Sequence, residues 1–139
     1  MGLVYAEIDI ISVDDIVLSR RGFLDESEIK RVNVTALVDS GAYMLSINEN
    51  IKNQLDLPLI ENQFVTLADE TTIEVEIVGP VEVRFENRST TVRALVLPGD
   101  AEVLLGAIPM EDMDVLIDPR QRKLVVNPKH PYVANKYLK

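Results

Sequence analysis

Apolar and polar residues alternate along most of this chain, with the period of two that is typical of strands with one buried face. In one segment, for example, Val34, Ala36 and Val38 alternate with Thr35 and Leu37. The same reasoning predicts extended segments over residues 4–12, 31–38, 44–47, 63–68, 72–78, 81–85, 91–97, 102–105, 115–117 and 123–126. Turn residues join several of these segments into hairpins, so the pattern favours an all-β fold.

Short helices interrupt the alternation. Ser46 begins a sequence with capping-box spacing, which predicts a helix over residues 49–55. Pro58 follows closely and ends this helix, because proline cannot continue one. Pro109 fits the first turn of a second short helix. Residues 14–21 are interpreted as a short helix or an irregular crossing.

Length and composition favour one domain with a buried core. The chain has 139 residues, of which 47% are hydrophobic, and domains of this size bury a sizeable core. Aromatic residues make up 5%, so aliphatic side chains are expected to fill the strand-based interior. We expect a single mostly β domain over residues 1–127, with one or two short helices, and a loose tail over residues 128–139.

Charge and two scarce residue types narrow the possible functions. A net charge of −9 opposes binding to nucleic acid and to anionic membranes. The absence of cysteine excludes a thiol nucleophile and a cysteine-ligated zinc site. His130 is the only histidine, which leaves almost no material for a Ser-His-Asp triad or a multi-histidine metal site. We therefore expect no metal and no cofactor, and interpret His130 as a solvated tail residue.

The sequence shows no signal for a membrane or for secretion. No apolar run approaches the roughly 18 residues of a spanning helix. Glu7 and Asp9 interrupt any signal-peptide pattern near the N-terminus. These observations predict a cytoplasmic protein.

The most informative stretch is Asp39-Ser40-Gly41, which directly follows the strand that ends at Val38. A carboxylate at the end of an apolar strand is costly to bury unless something nearby compensates its charge. One interpretation is structural, because Asp often bonds its own backbone at a turn. The other interpretation is catalytic.

Residues 36–42 resemble the active-site signature of retroviral-type (retropepsin-like) aspartic proteases, in which an apolar strand leads into Asp-Thr/Ser-Gly-Ala. That family has a second landmark well downstream, two bulky apolar residues and a glycine just before a short helix. Leu104-Leu105-Gly106-Ala107 stands at that place. The resemblance covers roughly residues 32–127 and implies a closed, half-barrel β domain of a stand-alone cellular or bacterial member.

Metal-free peptide hydrolysis without a covalent nucleophile needs two carboxyl groups that face one water molecule. One of them takes the water's proton, and the other polarises the scissile carbonyl. The chain has one Asp-Ser/Thr-Gly, so the second carboxylate must come from another copy. The resemblance implies the same arrangement, a homodimer in which Asp39 faces the partner's Asp39. The predicted function is an aspartic endopeptidase that acts on extended peptide or protein segments.

The resemblance also implies supporting roles for neighbouring residues. Ser40 would donate its hydroxyl across the dimer axis. Gly41, which precedes Ala42 in the signature, would let the substrate backbone approach closely because it has no Cβ. Leu105 and Gly106, with the leucine before them, would form a dry floor beneath the two carboxyl groups.

The hairpin tip at Ala68, Asp69, Glu70 and Thr71 falls where the family has its flap, which closes over the bound peptide. This tip departs from viral members because it has no glycine and carries two acidic residues. Tyr43 is a second departure, since viral members usually have an acidic residue there that helps to hold the substrate backbone. An acidic tip would favour basic peptides or would simply be a solvated turn, and exposed tips are normally polar.

Two other functions stay open. A non-catalytic peptide-binding or dimerisation module can have the same fold, since fold does not fix function. Such a module would bind peptides by strand addition and would tolerate Asp39→Asn. A small acidic β-barrel that serves as an interaction subunit would instead be a stable monomer.

Overall fold

The computed structural model describes residues 2–136, so Met1 and residues 137–139 of the predicted domain and tail lie outside the described residues. The strands are β1 (Tyr5–Ser12), β2 (Arg31–Val38), β3 (Leu45–Asn48), β4 (Leu59–Thr66), β5 (Thr72–Phe85), β6 (Arg88–Leu97), β7 (Leu104–Leu105), β8 (Val115–Asp118) and β9 (Lys123–Val126). The helices are α1 (Val13–Arg20), α2 (Glu49–Leu55) and α3 (Ala107–Met113), with one 3-10 turn at Glu26–Glu28.

The main sheet closes on itself. Its strand order is β1-β2-β7-β3-β6-β5-β4, and β1 also pairs with β5. This extra pairing joins the two ends of a six-strand run into a barrel, with β4 attached to the outside of β5. Strands β8 and β9 form a separate two-stranded sheet. The predicted all-β, closed fold with short helices is therefore confirmed.

Strand β5 serves both the barrel and the hairpin outside it. Its first half, from Thr72 to Val78, pairs with β4, and its second half, from Val81 to Arg84, pairs with β1. On its other side β5 pairs with β6 from Glu76 to Phe85. The register shifts between Val78 and Val81, where Gly79 has a φ of 123°. That backbone conformation suits glycine, which has no Cβ. The sequence prediction of two separate strands was wrong, because the Gly-Pro pair bends one strand without ending it.

The barrel interior is aliphatic, as the composition predicted. In β1, Ile8 and Ile10 are buried while Glu7 is exposed, so the alternation there has the predicted direction. The largest side chains with essentially no exposure come from the barrel strands, α2 and α3: Ile8, Ile10, Ile11, Leu45, Ile47, Leu55, Ile77, Val78, Val81, Val83, Leu105 and Met113. A second, smaller cluster lies under the β4–β5 hairpin and is built around Val75, Ile77 and Leu95.

Two helix predictions need correction in detail. Helix α2 has the predicted bounds, but its N-cap is Asn48, whose side chain accepts a hydrogen bond from the Ile51 amide at 2.9 Å. Ser46 is buried inside β3, so the capping-box interpretation was wrong. Residues 14–21 do form a helix, α1, which Ser12 caps.

No helix within residues 2–136 is long and apolar enough to cross a membrane.

Two predicted strand limits were also wrong. The strand predicted over residues 102–105 is only two residues long, Leu104–Leu105. The second hairpin turns at residues 86–87, and β6 begins at Arg88 rather than three residues later. Arg88 is buried and pairs with Phe85 across this tight turn. Helix α3 contains Pro109 in its first turn, as predicted.

Residues 127–136 lie against the end of α3. The side chain of Asp114, 12% exposed, accepts hydrogen bonds from the Asn135 amide at 2.9 Å and the Asn127 side-chain amide at 3.0 Å. His130 lies 2.7 Å from the same carboxylate, and its carbonyl accepts a hydrogen bond from Arg88. His130 is therefore half-buried and bonded, and its interpretation as a solvated residue was wrong. The domain boundary at residue 127 stays a prediction.

These contacts lower the pKa of Asp114 from 3.8 to about 2, with the Asn135 amide as the largest cause and the Asn127 side chain next. A depressed carboxyl pKa adds folding stability above the unfolded value and loses it as pH falls through the folded one. Asp114→Asn is therefore expected to flatten the pH dependence of unfolding between about pH 4 and pH 2. Denaturant unfolding across that range measures the effect. The exposed Asp100→Asn variant is the control, and an equal flattening in both variants would contradict the assignment.

Candidate active site

Strand β2 delivers Asp39 to a fixed position. Val38 is buried, and β2 pairs in parallel with β7, so that Val38 lies opposite Leu105. The Asp39 amide donates a hydrogen bond to the Leu105 carbonyl at 3.0 Å. The two predicted landmarks, far apart in sequence, are thus neighbours in the sheet, and Leu105 is fully buried. Its role as a floor of the site stays a prediction.

A tight turn follows Asp39. The Ala42 amide donates to the Asp39 carbonyl at 3.0 Å, and the Gly41 amide donates to Asp39 Oδ1 at 2.9 Å. Asp39 and Ala42 are half-buried, whereas Ser40 and Gly41 are exposed. Asp39 therefore has a structural role, because its side chain accepts a hydrogen bond within its own turn. Within residues 2–136, however, Asp39 Oδ2 has no hydrogen-bond partner, so half of the carboxylate stays available for chemistry.

Gly106 lies directly against the backbone of the turn that follows Asp39. A Cβ built on Gly106 would lie 2.8 Å from the Ala42 carbonyl oxygen and closer still to that of Met44. The first amides of α3 hold the same loop, because Ala107 donates to the Ala42 carbonyl at 2.9 Å and Ile108 donates to that of Tyr43 at 3.0 Å. Since backbone fills the place of a side chain, only glycine fits at position 106 without a shift.

The predicted flap is a hairpin formed by β4 and the first half of β5. Strand β4 is longer than predicted, because it begins at Leu59. The tip is exposed at Ala68, Asp69, Glu70 and Thr71. Glu70 has a φ of 68°, a left-handed conformation that glycine usually takes. The Thr71 amide donates to Asp69 Oδ1 at 3.0 Å and is the largest cause of the lowered pKa of Asp69.

Within residues 2–136, no hydrogen bond joins this tip to the Asp39 turn. The link between them is apolar. Met44, two residues after Ala42, packs with Val65 and Ile73 of the hairpin on the smaller hydrophobic cluster. The sequence alone does not predict this role of Met44, because the contact depends on how β4 and β5 fold back over the loop.

The surface around Asp39 is open rather than enclosed. Tyr43, four residues after Asp39, is 75% exposed. A cavity of about 290 Å³ lies nearby, and its walls include Met44, Leu45 and Ile108 but not Asp39. Within residues 2–136, no group of three or more His, Asp or Glu side chains could hold a metal ion. The chain therefore presents a positioned carboxylate on an open face.

Comparison with known families agrees with this geometry. A family model described as gag-polyprotein putative aspartyl protease matches residues 26–111, more than half of the chain. The chain belongs to this family of retropepsin-like aspartic proteases. A search of curated proteins gives no match. The matched residues include both the Asp39 turn and Gly106, and family membership supports a protease-type function.

Gly106→Ala is expected to destabilise the protein by about 3 kcal/mol, the upper end of the range for overpacking a close-packed site. The added methyl group would push against two backbone carbonyls that cannot move independently. Denaturant unfolding measures the loss. Gly22→Ala is the control, because a Cβ at Gly22 meets no atom within 4 Å and costs only its left-handed backbone, about 1 kcal/mol. Equal losses in the two variants would contradict this account of Gly106.

Proposed function

We propose that this protein is an aspartic endopeptidase whose catalytic dyad forms across a homodimer, with one Asp39 from each copy. The observation that carries the proposal is the Asp39 carboxylate itself. It follows the buried Val38 at the end of β2, where the Asp39 backbone amide donates to the Leu105 carbonyl. The carboxylate accepts a hydrogen bond from the Gly41 amide and keeps one oxygen available on an open face. The family match covers this segment.

The dyad would work by sharing one proton. Two carboxylates about 3 Å apart repel by roughly 5 kcal/mol at an effective dielectric constant of about 20. Protonating one of them removes this repulsion and separates the two apparent pKa values of the pair. The ionised carboxylate then takes a proton from the attacking water, while the protonated one donates to the scissile carbonyl oxygen. No cofactor enters this scheme.

The neighbouring residues would hold and complete the dyad. The Gly41 amide, which donates to Asp39 Oδ1, orients the carboxylate. Ser40 is exposed beside Asp39, where its hydroxyl can reach the second copy. Gly41 and Ala42 offer backbone at the surface to an extended substrate. Leu105 and Gly106 supply the rigid, dry floor.

The β4–β5 hairpin would close over the peptide. Its inner face shares a hydrophobic cluster with Met44, which lies just after the Asp39 turn. A movement of the hairpin would therefore shift Met44. Closure would exclude water and hold the substrate as an extended segment. The acidic tip at Asp69 and Glu70 is exposed and therefore solvated when the hairpin is open.

A non-catalytic peptide-binding module is the second candidate. Two observations favour it: Asp39 already has a structural partner in its own turn, and the hairpin tip places Glu70 rather than glycine in a left-handed conformation. A structural Asp39 and a hairpin tip without glycine would suit binding by strand addition without cleavage.

Asp39→Asn is expected to lower peptide cleavage at least a thousandfold, because an amide can neither take the water's proton nor share one with the partner carboxyl. The measurement is cleavage of a diverse mixture of unstructured peptides, from acidic to neutral pH, with mass-spectrometric detection of products. Asp100→Asn, which removes an exposed carboxylate elsewhere, is expected to cleave like the wild type. The wild-type rate should be bell-shaped in pH, as two coupled carboxyl groups require.

Folded wild-type dimers that bind peptides but never cut them would favour the binding module. Equal cleavage by wild type and Asp39→Asn would show that the activity does not come from this site.

A further inference from the structure

Strand β4 forms a free edge of the main sheet. It stands at the end of the strand order and, in the described part of the chain, pairs only with β5. An edge strand presents unpaired backbone N–H and C=O groups, to which a strand of another chain can be added. What β4 can bind therefore depends on which of its groups point outward and on the side chains around them.

The outward groups can be assigned from the pairing with β5. The Leu67 amide donates to the Thr71 carbonyl at 2.8 Å, just beyond the last residue pair of the two strands. Bonded and non-bonded pairs alternate along an antiparallel ladder. Counted back from Leu67, the backbone groups of Asn62 and Phe64 point away from β5. Within residues 2–136, these groups are in no backbone hydrogen bond outside the sheet.

The usual protection of an edge strand is missing from this part of β4. Natural edges often carry lysine, proline or a bulge, each of which discourages pairing with another chain. In β4 the irregularity lies at the start, between Leu59 and Glu61, and Pro58 precedes the strand. From Glu61 to Thr66 the pairing is regular and the sequence has no lysine or proline. This part of the edge can therefore accept an added strand.

Large apolar side chains are exposed along the same strand. Leu59, Ile60 and Phe64 are among the exposed hydrophobic residues, and Phe64 is 73% exposed. The opposite face of β4 differs, because Val65 packs on the smaller hydrophobic cluster. Grouped apolar residues on a surface mark interaction sites. Here they lie beside unpaired backbone groups.

The charge around this edge indicates the chemistry of the partner. Residues 53–83, which include the whole hairpin, contain seven acidic residues and no Lys, Arg or His. Cations from outside this stretch pair with three of these acids. Within residues 2–136, Glu74 is in no ion pair, and it lies opposite Phe64 in the ladder. A cationic side chain that crosses the Phe64 ring therefore meets a carboxylate whose charge is not neutralised.

We propose that the outer edge of β4 binds an extended, basic segment of a partner protein by strand addition. The segment bonds to the backbone groups of Asn62 and Phe64, and its Lys or Arg side chains cross the Phe64 ring toward Glu74. A second copy of this chain is a poorer occupant, because it brings two acidic hairpins together. Binding at this edge requires no cleavage at Asp39, so the inference is independent of the proposed dyad.

The probe is a fluorophore-labelled ten-residue peptide of alternating Lys and Val, titrated with the Asp39→Asn variant so that binding is measured without cleavage. Fluorescence anisotropy is expected to show binding that weakens as salt is added, because the contact depends on charge. Two control peptides are expected to bind at least tenfold more weakly. One alternates Glu and Val, which reverses the charge. The other is the Lys-Val peptide methylated on every backbone nitrogen, which removes the N–H donors of an added strand.

Two further substitutions test whether the peptide binds at β4. Phe64→Lys removes the ring and adds a cation at the edge, and is expected to weaken binding at least tenfold. Phe64→Pro removes an outward N–H without removing a bond to β5, and the same loss is expected. Phe23→Lys is the matched control, since Phe23 is 78% exposed in the segment after α1 and the change of charge is the same. This control is expected to bind the peptide within twofold of the parent.

Hydrogen exchange locates the contact directly. The outward amides of Asn62 and Phe64 are expected to exchange rapidly in the free protein and at least tenfold more slowly in the complex. Unchanged exchange at both amides, or equal binding by Phe64→Lys and Phe23→Lys, overturns the proposal. Equal binding of the Glu-Val peptide overturns the assigned chemistry of the partner. Slower exchange at higher protein concentration without peptide also overturns the proposal, because a second copy then occupies the edge.

Discussion

The close approach of Gly106 to the loop after Asp39 is the constraint on which the candidate site depends. At this point the start of α3 lies directly on the carbonyls of Ala42 and Met44, with no side chain between them. The Leu105 carbonyl then holds the Asp39 amide. Because backbone contacts backbone, the position of the carboxylate is set by the barrel rather than by flexible side chains, which is the preorganisation that acid–base chemistry requires.

The period of two was sufficient to predict most strands, because one buried face leaves a local signal in every second residue. Ile8 and Ile10 show this directly, being buried on either side of a polar residue. Predictions from local sequence patterns were wrong where contacts with distant residues determine the structure. Gly79 and Pro80 look like a strand end in sequence, but pairing with β1, β4 and β6 keeps β5 continuous. Likewise Ser46 has the spacing of a cap, yet its burial in β3 leaves that role to Asn48.

The candidate site likewise contains residues that the sequence predicts and residues that it does not. Asp39 and Gly106 could be found from sequence because each stands in a short motif with a chemical reason for its residue type. The contact between Met44 and the hairpin could not, since it depends on how β4 and β5 fold back over the loop. The bonds of Asp114 to Asn127, His130 and Asn135 were also invisible, because polar residues near a chain end look solvated unless their partners are known.

The attachment of β4 to the outside of β5 has a consequence for how the molecule opens. The barrel is closed by β1 and the second half of β5, and β4 pairs only with β5, so β4 can detach without breaking any pairing of the ring. Its small hydrophobic cluster is separate from the main core. We therefore expect β4 and the exposed tip to form a local unfolding unit, whose amides exchange with solvent at a lower free energy than those of the barrel.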